Sequence, residues 1–244
     1  MIDLHIHTTH SSDGQYTAKE IISLAGGCGM TMLAFSDHMD ICAAEEGLEL
    51  IKDTGMEFFT GVELSASWKG REYHLLCYGF NPADTVLKDF IHTTCSRIWS
   101  SMDTIIEYFK DLGFMLQKDD ISGWGKSVPT GVTMLNALLA GNPDDERLRR
   151  YTHGDRSNSP YLNFYQDFSL SDFGKTISSG LPCLKDTVRL LKGCGVLVLA
   201  HPGQISEEIL REMKGWGIEG IEVYSTHHGP DTITHLCTLA ASLG

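Results

Sequence analysis

The sequence contains no apolar run that approaches the length of a membrane-spanning helix. Its N-terminus also lacks a basic stretch followed by an apolar one, so we expect no signal peptide. The seven cysteines are an odd number and form no CxxC pair, which argues against a disulfide framework or a structural zinc knot. We therefore expect a cytoplasmic protein in which most cysteines are small buried hydrophobic residues.

Positive charge is scarce. The 244 residues include 19 lysines and arginines against 32 acidic residues, a formal net charge of −13. This balance argues against an extended polyanion-binding surface, so we expect no stable nucleic-acid partner and no membrane partner. Bound metal ions would be the largest local positive charges in such a protein, and they could still bind a small phosphorylated substrate.

Short apolar runs alternate with helical patterns along the chain. "TAKEIISLAGGCG" carries a capping-box signature at Thr17 and Glu20, and it separates the apolar runs "MIDLHIH" and "MTMLAFSDH". This order predicts a parallel βαβ unit. "MEFFTGVELSAS" and "REYHLLCYGF" predict two strands joined by a turn at Lys69–Gly70, and "GVLVLAHPG" and "GIEGIEVYS" predict two more. Because no G-x-G-x-x-G follows the first strand, a barrel is favoured over a dinucleotide-binding open sheet.

The middle of the chain breaks this alternation. One amphipathic helix is marked by apolar residues from Met102 to Leu112, and "VTMLNALLAG" marks another. The sequence therefore predicts a barrel formed by residues 1–86 and 181–244, with a mostly helical insertion over residues 87–180.

Histidines and carboxylates follow several of the predicted strands. In a parallel barrel the carboxyl ends of the strands form one rim, and the active-site residues of such barrels lie there. We expect the polar residues that lie on or directly after these strands to converge there, namely His5, His7, Asp37, His38, Glu63, His74 and His201.

This set of residue types suits a metal site. His5 and His7 lie two apart on a strand, so both side chains point to the same side. A carboxylate such as Glu63 can bridge two ions, because its two oxygens offer several lone-pair directions. Imidazole and carboxylate ligands suit zinc, manganese or iron. The loop after the first strand leaves two candidates for a further ligand, Asp13 and His10.

The ordered motifs "DLHIHT…SDG", "FSDH", "GVE", "HLLCYG", "LAHPG" and "GIEVYS…H" resemble those of the PHP (polymerase and histidinol phosphatase) domain. The chain is most similar to stand-alone bacterial metal-dependent phosphoesterases that carry a helical insertion. The resemblance implies an α/β fold, a distorted (β/α)7 TIM-like barrel with up to three divalent ions, manganese, zinc or iron, at the rim. It implies that His5 and His7 hold the first ion, that Glu63 bridges it to the second, and that His74 and His201 complete the second.

The same resemblance implies that Asp13 and His38 hold a third ion and that His228 or His227 lies near the substrate. Arg97, at the head of a predicted helix, is a candidate for orienting phosphate oxygens. The implied activity is hydrolysis of phosphomonoesters of a nucleotide or a small phosphorylated metabolite. It needs no side-chain nucleophile, because the ions acidify a water that attacks phosphorus.

Three features depart from the family pattern. Asp13 lies six residues after His7, where the family has five, and Pro129 is followed by Thr130, where nucleotide-cleaving members have histidine. The family also ends with an Asp-x-His pair on a seventh strand, and this sequence has none. We therefore expect the seventh strand to be missing at the C-terminus, the first and third ions to lack one ligand each, and catalysis to be weak.

Three alternatives stay open. An amidohydrolase-type enzyme also begins with HxH on a barrel strand, but it would need a metal-bridging lysine that these strand ends lack. A 3′–5′ exonuclease acting on short oligonucleotides is a second. A non-catalytic metal- or nucleotide-binding remnant of the family is a third.

Overall fold

The computed structural model describes residues 1–121 and 128–244, and its strands form one six-stranded sheet in the order β1 to β6. Each of the six predicted apolar runs coincides with one of these strands, and β3 extends one residue beyond its run. Their bounds are β1 Ile2–Ile6, β2 Met32–Phe35, β3 Glu57–Trp68, β4 Arg71–Tyr78, β5 Val196–Leu199 and β6 Gly220–Ile221.

The sheet is mixed. Strands β1, β2 and β3 are parallel, β4 runs antiparallel to both β3 and β5, and β6 is parallel to β5. The turn predicted between β3 and β4 is confirmed: Lys69 and Gly70 have φ of +53° and +72°. Two consecutive residues with positive φ are typical of the tight hairpin turn that matches the twist of the flanking strands.

Ten α-helices accompany the strands in the described part of the chain, together with a 3₁₀ turn at Lys118–Asp120. The capping box predicted at the first helix is present, because Thr17 and Glu20 each accept a hydrogen bond from the other's backbone N–H. The helices are α1 Ala18–Gly27, α2 Cys42–Leu50, α3 Thr85–Asp111, α4 Gly131–Gly141, α5 Glu146–Thr152, α6 Pro160–Ser169, α7 Asp172–Ser178, α8 Leu184–Leu191, α9 Glu207–Trp216 and α10 Pro230–Leu243.

The main hydrophobic core lies along β3, β4 and β5. Val62, Leu64, Leu75, Leu197 and Leu199 are fully buried there and pack against side chains of α3, α8, α9 and α10. A smaller cluster joins α1 to β2. The alternation of buried apolar and polar positions on β3 and β4 places their polar side chains together on one face.

Helices α3 to α7 carry a hydrophobic cluster of their own. Its fully buried members include Leu135 and Leu138 on α4, and its aromatic members include Phe109 and Phe164. The division into a barrel and an insertion over residues 87–180 stays a prediction, and residues 122–127 of that insertion lie outside the described part of the chain.

The sheet curls so that its first and last strands approach one another. The hydroxyl of Tyr78 on β4 donates to the carbonyl of Leu4 on β1 at 2.8 Å, and His5 on β1 contacts Glu222 after β6 at 2.9 Å. The predicted α/β class is confirmed, whereas the count of seven βα units and the missing seventh strand stay predictions. Among the described residues, the helices are all too short or too polar to span a membrane.

The cysteines differ from the expectation. All seven are free, but only Cys77 is buried, and Cys28, Cys42, Cys183 and Cys237 are exposed. Cys28 and Cys42 lie at ends of helices, where a side chain faces solvent as readily as the core.

Candidate metal centre

The site is built around the carboxylate of Glu63, which lies in the middle of β3 and is 1% exposed. The sequence places Glu63 near the end of its strand, but β3 continues to Trp68 because it pairs with β4 beyond the site. An isolated bridge pairs Glu63 with His38 after β2, which brings the end of β2 beside the middle of β3.

One oxygen of Glu63 faces three imidazoles. Its Oε2 lies 3.1 Å from His5 Nε2, 3.2 Å from His7 Nε2 and 3.2 Å from His38 Nδ1. His5 and His7 come from the end of β1, as the HxH spacing predicts, and their rings stack with centroids 5.1 Å apart.

The other oxygen faces two more imidazoles. Glu63 Oε1 lies 2.9 Å from His74 Nδ1 and 2.9 Å from His201 Nε2, and these two nitrogens are 3.3 Å apart. His74 reaches this position from an antiparallel strand, because it pairs with Ser65, two residues along the same face of β3 from Glu63. His201 follows β5 with φ of +26°, a conformation that non-glycine residues rarely adopt and that is concentrated at functional sites.

The structure brings Asp13, and not His10, into the cluster. Asp13 lies 3.0 Å from His7 Nδ1 and 3.3 Å from His38 Nε2. His10 instead contacts Glu46 at 3.1 Å on α2. The extra loop residue between His7 and Asp13 is thus accommodated while the carboxylate stays within reach of both histidines.

The loops around the site are held by a buried aspartate. Asp37 accepts hydrogen bonds from the backbone N–H and the hydroxyl of Thr8, at 2.7 and 2.8 Å. The backbone N–H of His38 donates to the hydroxyl of Ser11 at 2.7 Å. These bonds tie the segment after β1 to the end of β2, so they fix His7 relative to His38.

The charges of the cluster are strongly coupled. Burial alone would raise the pKa of Glu63, but the imidazoles of His38, His5 and His74 outweigh it and hold the pKa well below its usual value. Burial opposes the charging of the histidines, yet the neighbouring carboxylates raise the pKa of His5 to about 9 and that of His74 to about 10. An ionised carboxylate is therefore stable in this buried position when positive charge surrounds it.

Sequence reasoning missed Glu222, which follows β6. Its Oε1 lies 2.9 Å from His5 Nδ1, and its Oε2 accepts the backbone N–H of His201 at 2.7 Å. Glu222 therefore holds ligand candidates from β1 and β5 at once. Its position within the predicted strand "GIEGIEVYS", the last of the six, is the signal that could have found it.

The predicted substrate residues lie apart from the cluster or face away from it. Arg97 on α3 lines an open groove with His92, Ser96 and Ser100, and no histidine of the cluster lines that groove. His228 is buried, its Nδ1 bonds the carbonyl of Val223 at 2.9 Å, and its Nε2 accepts the N–H of Gly203 at 3.3 Å. The substrate roles of Arg97 and His228 stay predictions.

His227 occupies a different position from its neighbour. It is exposed, and its ring centroid lies 4.9 Å from that of His201. Of the two histidines that the family resemblance leaves open, His227 is the one beside the cluster.

The donor set fits divalent metal ions. Imidazole nitrogens and carboxylate oxygens from separate parts of the chain lie 2.9 to 3.3 Å apart around a buried carboxylate. Such nitrogen and oxygen donors suit zinc, manganese or iron. Candidate ligand groups within this set are His5–His7–Glu63, His7–Asp13–His38 and His38–Glu63–His74.

Comparison with known families identifies the first part of this arrangement. Residues 3–117, which span β1 to β4 and most of the cluster, match the family described as "PHP domain". Residues 3–117 form a PHP domain. The resemblance predicted from the ordered motifs is therefore confirmed.

Proteins similar to this chain include enzymes that act on phosphoesters. The chain is 27% identical over 231 residues to a 5′-3′ exoribonuclease of Haemophilus influenzae, covering 91% of this chain and 78% of the relative. It is 26% identical over 249 residues to a 3′,5′-nucleoside bisphosphate phosphatase of Chromobacterium violaceum, covering 94% and 79%.

A solved structure shares the fold of the whole chain. An amidohydrolase from Chromobacterium violaceum with bound sulfate superposes with a TM-score of 0.82 at 23% identity, covering 100% of this chain and 84% of that one. This likeness concerns the fold, which extends beyond the segment that matches the PHP domain.

Proposed function

We propose that this chain is a metal-dependent phosphoesterase that hydrolyses a phosphomonoester of a nucleotide or another small phosphorylated metabolite. The observation that carries the proposal is the divided environment of Glu63. One of its oxygens faces His5, His7 and His38, and the other faces His74 and His201. The relatives that cleave phosphoester bonds support it.

Two sets of residues that share Glu63 would hold two ions, and a further pair would hold a third. His5 and His7 would serve one ion with Glu63 Oε2, and His74 and His201 would serve a second with Oε1. Asp13 and His38 would serve a third. Bound divalent ions would polarise phosphate oxygens and acidify a water molecule, which is the chemistry that phosphoester hydrolysis requires.

The remaining residues of the site orient the ligands. Glu222 accepts from the ring of His5 and from the backbone of His201, so it fixes one ligand candidate from each set. Asp37 fixes the loop that carries His7. We propose that exposed His227, beside His201, contacts the substrate, because both ring nitrogens of His228 are bonded to the backbone.

The direct test is phosphate release by protein that has been stripped with a chelator and reloaded separately with manganese, zinc or iron. A nucleoside bisphosphate and a generic phosphomonoester serve as substrates. We expect turnover with at least one metal and its loss in His7→Ala. The matched control is His153→Ala, because His153 is exposed and, among the described residues, its ring hydrogen-bonds to its neighbour Thr152 and to no residue of the cluster.

A second candidate is favoured by the Haemophilus influenzae relative, a 5′-3′ exoribonuclease. Short oligoribonucleotides labelled at either end would separate removal of nucleotides from the 5′ end, removal from the 3′ end and simple phosphatase action. Metal-loaded protein that binds nucleotide without any turnover would contradict both enzymatic proposals and support a non-catalytic binding protein.

A further inference from the structure

The two ring nitrogens of His74 face opposite environments. Nδ1 points into the metal centre, 2.9 Å from Glu63 Oε1 and 3.3 Å from His201 Nε2. Nε2 points away from it and lies 3.4 Å from Glu72 Oε1. A metal-binding histidine typically donates its second N–H to a carboxylate, which fixes both the tautomer and the ring orientation. Glu72 has the position and the charge for this task.

Glu72 is held on the correct side of β4 by the strand itself. It lies two residues before His74, so both side chains project from the same face. Only 17% of its side chain is exposed. An ionised carboxylate in such a place must be satisfied by nearby donors.

The second oxygen of Glu72 is bound by a residue from the helical segment. The hydroxyl of Tyr165 on α6 donates to Glu72 Oε2 at 2.6 Å, across 93 residues of sequence. The ring of Tyr165 lies 6.4 Å from that of His74. A hydroxyl that donates to a carboxylate at this distance forms a short, charge-assisted hydrogen bond. The two oxygens of Glu72 are therefore divided between Tyr165 and His74.

Close packing of two helices allows this contact. A Cβ on Gly131, the first residue of α4, would lie 2.9 Å from the carbonyl oxygen of Tyr161 and 3.0 Å from the Cβ of Tyr165. Only glycine lets α4 approach this part of α6 without displacing it. The position of Tyr165 thus depends on packing within the helical segment.

We propose that Glu72 and Tyr165 are positioning residues that hold His74 with Nδ1 directed at Glu63, so that the helices after β4 set one ligand of the metal centre. This inference rests on the proposed function, because it requires His74 to bind a metal. Neither residue needs to contact substrate. Their effect is transmitted through the orientation of one imidazole.

The test is the affinity for Zn²⁺ and for Mn²⁺, measured by competition with a chelator, in Glu72→Gln, Tyr165→Phe and the double variant. Glu72→Gln keeps the size of the side chain but removes its charge, and we expect a loss of about 10–100-fold in affinity. Tyr165→Phe should weaken binding in the same direction by less. Because Tyr165 acts through Glu72, adding Tyr165→Phe to Glu72→Gln should cause no further loss.

The control is Tyr161→Phe, which removes a hydroxyl from the same helix at a residue that is 39% exposed. Thermal unfolding of chelator-treated protein checks that each variant is folded. Unchanged metal affinity in both single variants, or losses that add in the double variant, would overturn the inference. If the unmodified protein binds metal and these variants match it, only the inference fails. Failure of the unmodified protein to bind metal overturns the proposed function and the inference together.

Discussion

At the scale of single residues, the site depends on one buried carboxylate. An ionised glutamate in a protein interior is costly unless opposite charge or hydrogen bonds compensate it. Five imidazoles compensate Glu63. Packing of a hydrophobic core does not require five imidazoles around a buried carboxylate. A metal centre in which one carboxylate binds two ions does require such a set of ligands.

Replacing Glu63 by glutamine tests this dependence. Glu63→Gln keeps the shape of the side chain but removes the charge that two sets of histidines share. Losing a residue that only hydrogen-bonds to a metal ligand typically lowers metal affinity by about 10–100-fold. Because Glu63 would itself be a ligand, we expect a loss on the order of 100-fold or more. Elemental analysis after dialysis measures it. The control is Glu20→Gln, since glutamine can also complete the capping box of α1. A full metal complement in Glu63→Gln would contradict the assignment.

The raised pKa values of His5 and His74 predict the pH dependence of chelator-treated protein. Folding raises these pKa values from about 6.5 in the unfolded chain to about 9 and about 10. Such groups stabilise the fold fully below their unfolded pKa, and the stabilisation is lost as pH rises through the folded pKa. We expect the free energy of unfolding in urea to fall from about pH 6.5 to about pH 10.

The same slope is expected in His153→Ala, which removes an exposed histidine. A free energy of unfolding that rises across this pH range would show that the imidazoles are not protonated beside Glu63. The protons must also leave when a metal binds, so metal affinity should increase with pH over the same range.

At the scale of elements, the loop after β1 carries two ligand candidates and depends on a glycine. A Cβ on Gly14 would lie 1.8 Å from the carbonyl oxygen of Thr8. That contact is with backbone, so rotation of a side chain cannot relieve it. The loop can bring Asp13 to His7 and His38 only because glycine follows the aspartate.

We expect Gly14→Ala to displace Asp13, to weaken metal binding and to lower the free energy of unfolding by about 1–3 kcal/mol, the usual cost of overpacking. Urea unfolding with and without added metal measures both effects. Gly26→Ala on α1 is the control: a Cβ there meets nothing within 4 Å, so helix propensity predicts unchanged or greater stability. Equal behaviour of the two variants would contradict this account of the loop.

Local patterns predicted the strands, because apolar runs bounded by glycine report directly on burial. They also predicted that His5, His7, His38, His74 and His201 meet, because strand ends converge in such a fold, although His74 joins them from the middle of an antiparallel strand. Contacts between distant segments were not predictable in this way. Nothing in the insertion sequence marks Tyr165 as a partner of Glu72, because that contact depends on how α4 and α6 pack.

The orientation of individual side chains could not be predicted from the sequence either. Adjacent histidines such as His227 and His228 follow the same strand, yet one is bonded to the backbone and the other faces His201. The burial of most cysteines was predicted wrongly; Cys28 and Cys42, for example, lie at helix ends, where a side chain can face solvent.

At the scale of the whole molecule, two hydrophobic clusters serve different tasks. One underlies the sheet that carries the metal centre, and the other holds helices α3 to α7 together. The hydrogen bond from Tyr165 to Glu72 crosses between these two parts.

The second cluster should contribute substantially to stability. Leu135 on α4 is fully buried, so we expect Leu135→Ala to lower the free energy of unfolding by about 2–5 kcal/mol. Leu170→Ala, at a residue that is 67% exposed, should change it by less than about 0.5 kcal/mol. Denaturant unfolding measures both. A similar small change in the two variants would show that these helices are not held together by a packed hydrophobic core.

The most direct test of the central claim is the number of metal ions per chain, determined by elemental analysis of protein prepared with manganese, iron and zinc available. The two sets of donors that share Glu63 predict at least two ions per chain in the unmodified protein. Folded protein that binds no metal under these conditions would contradict the claim.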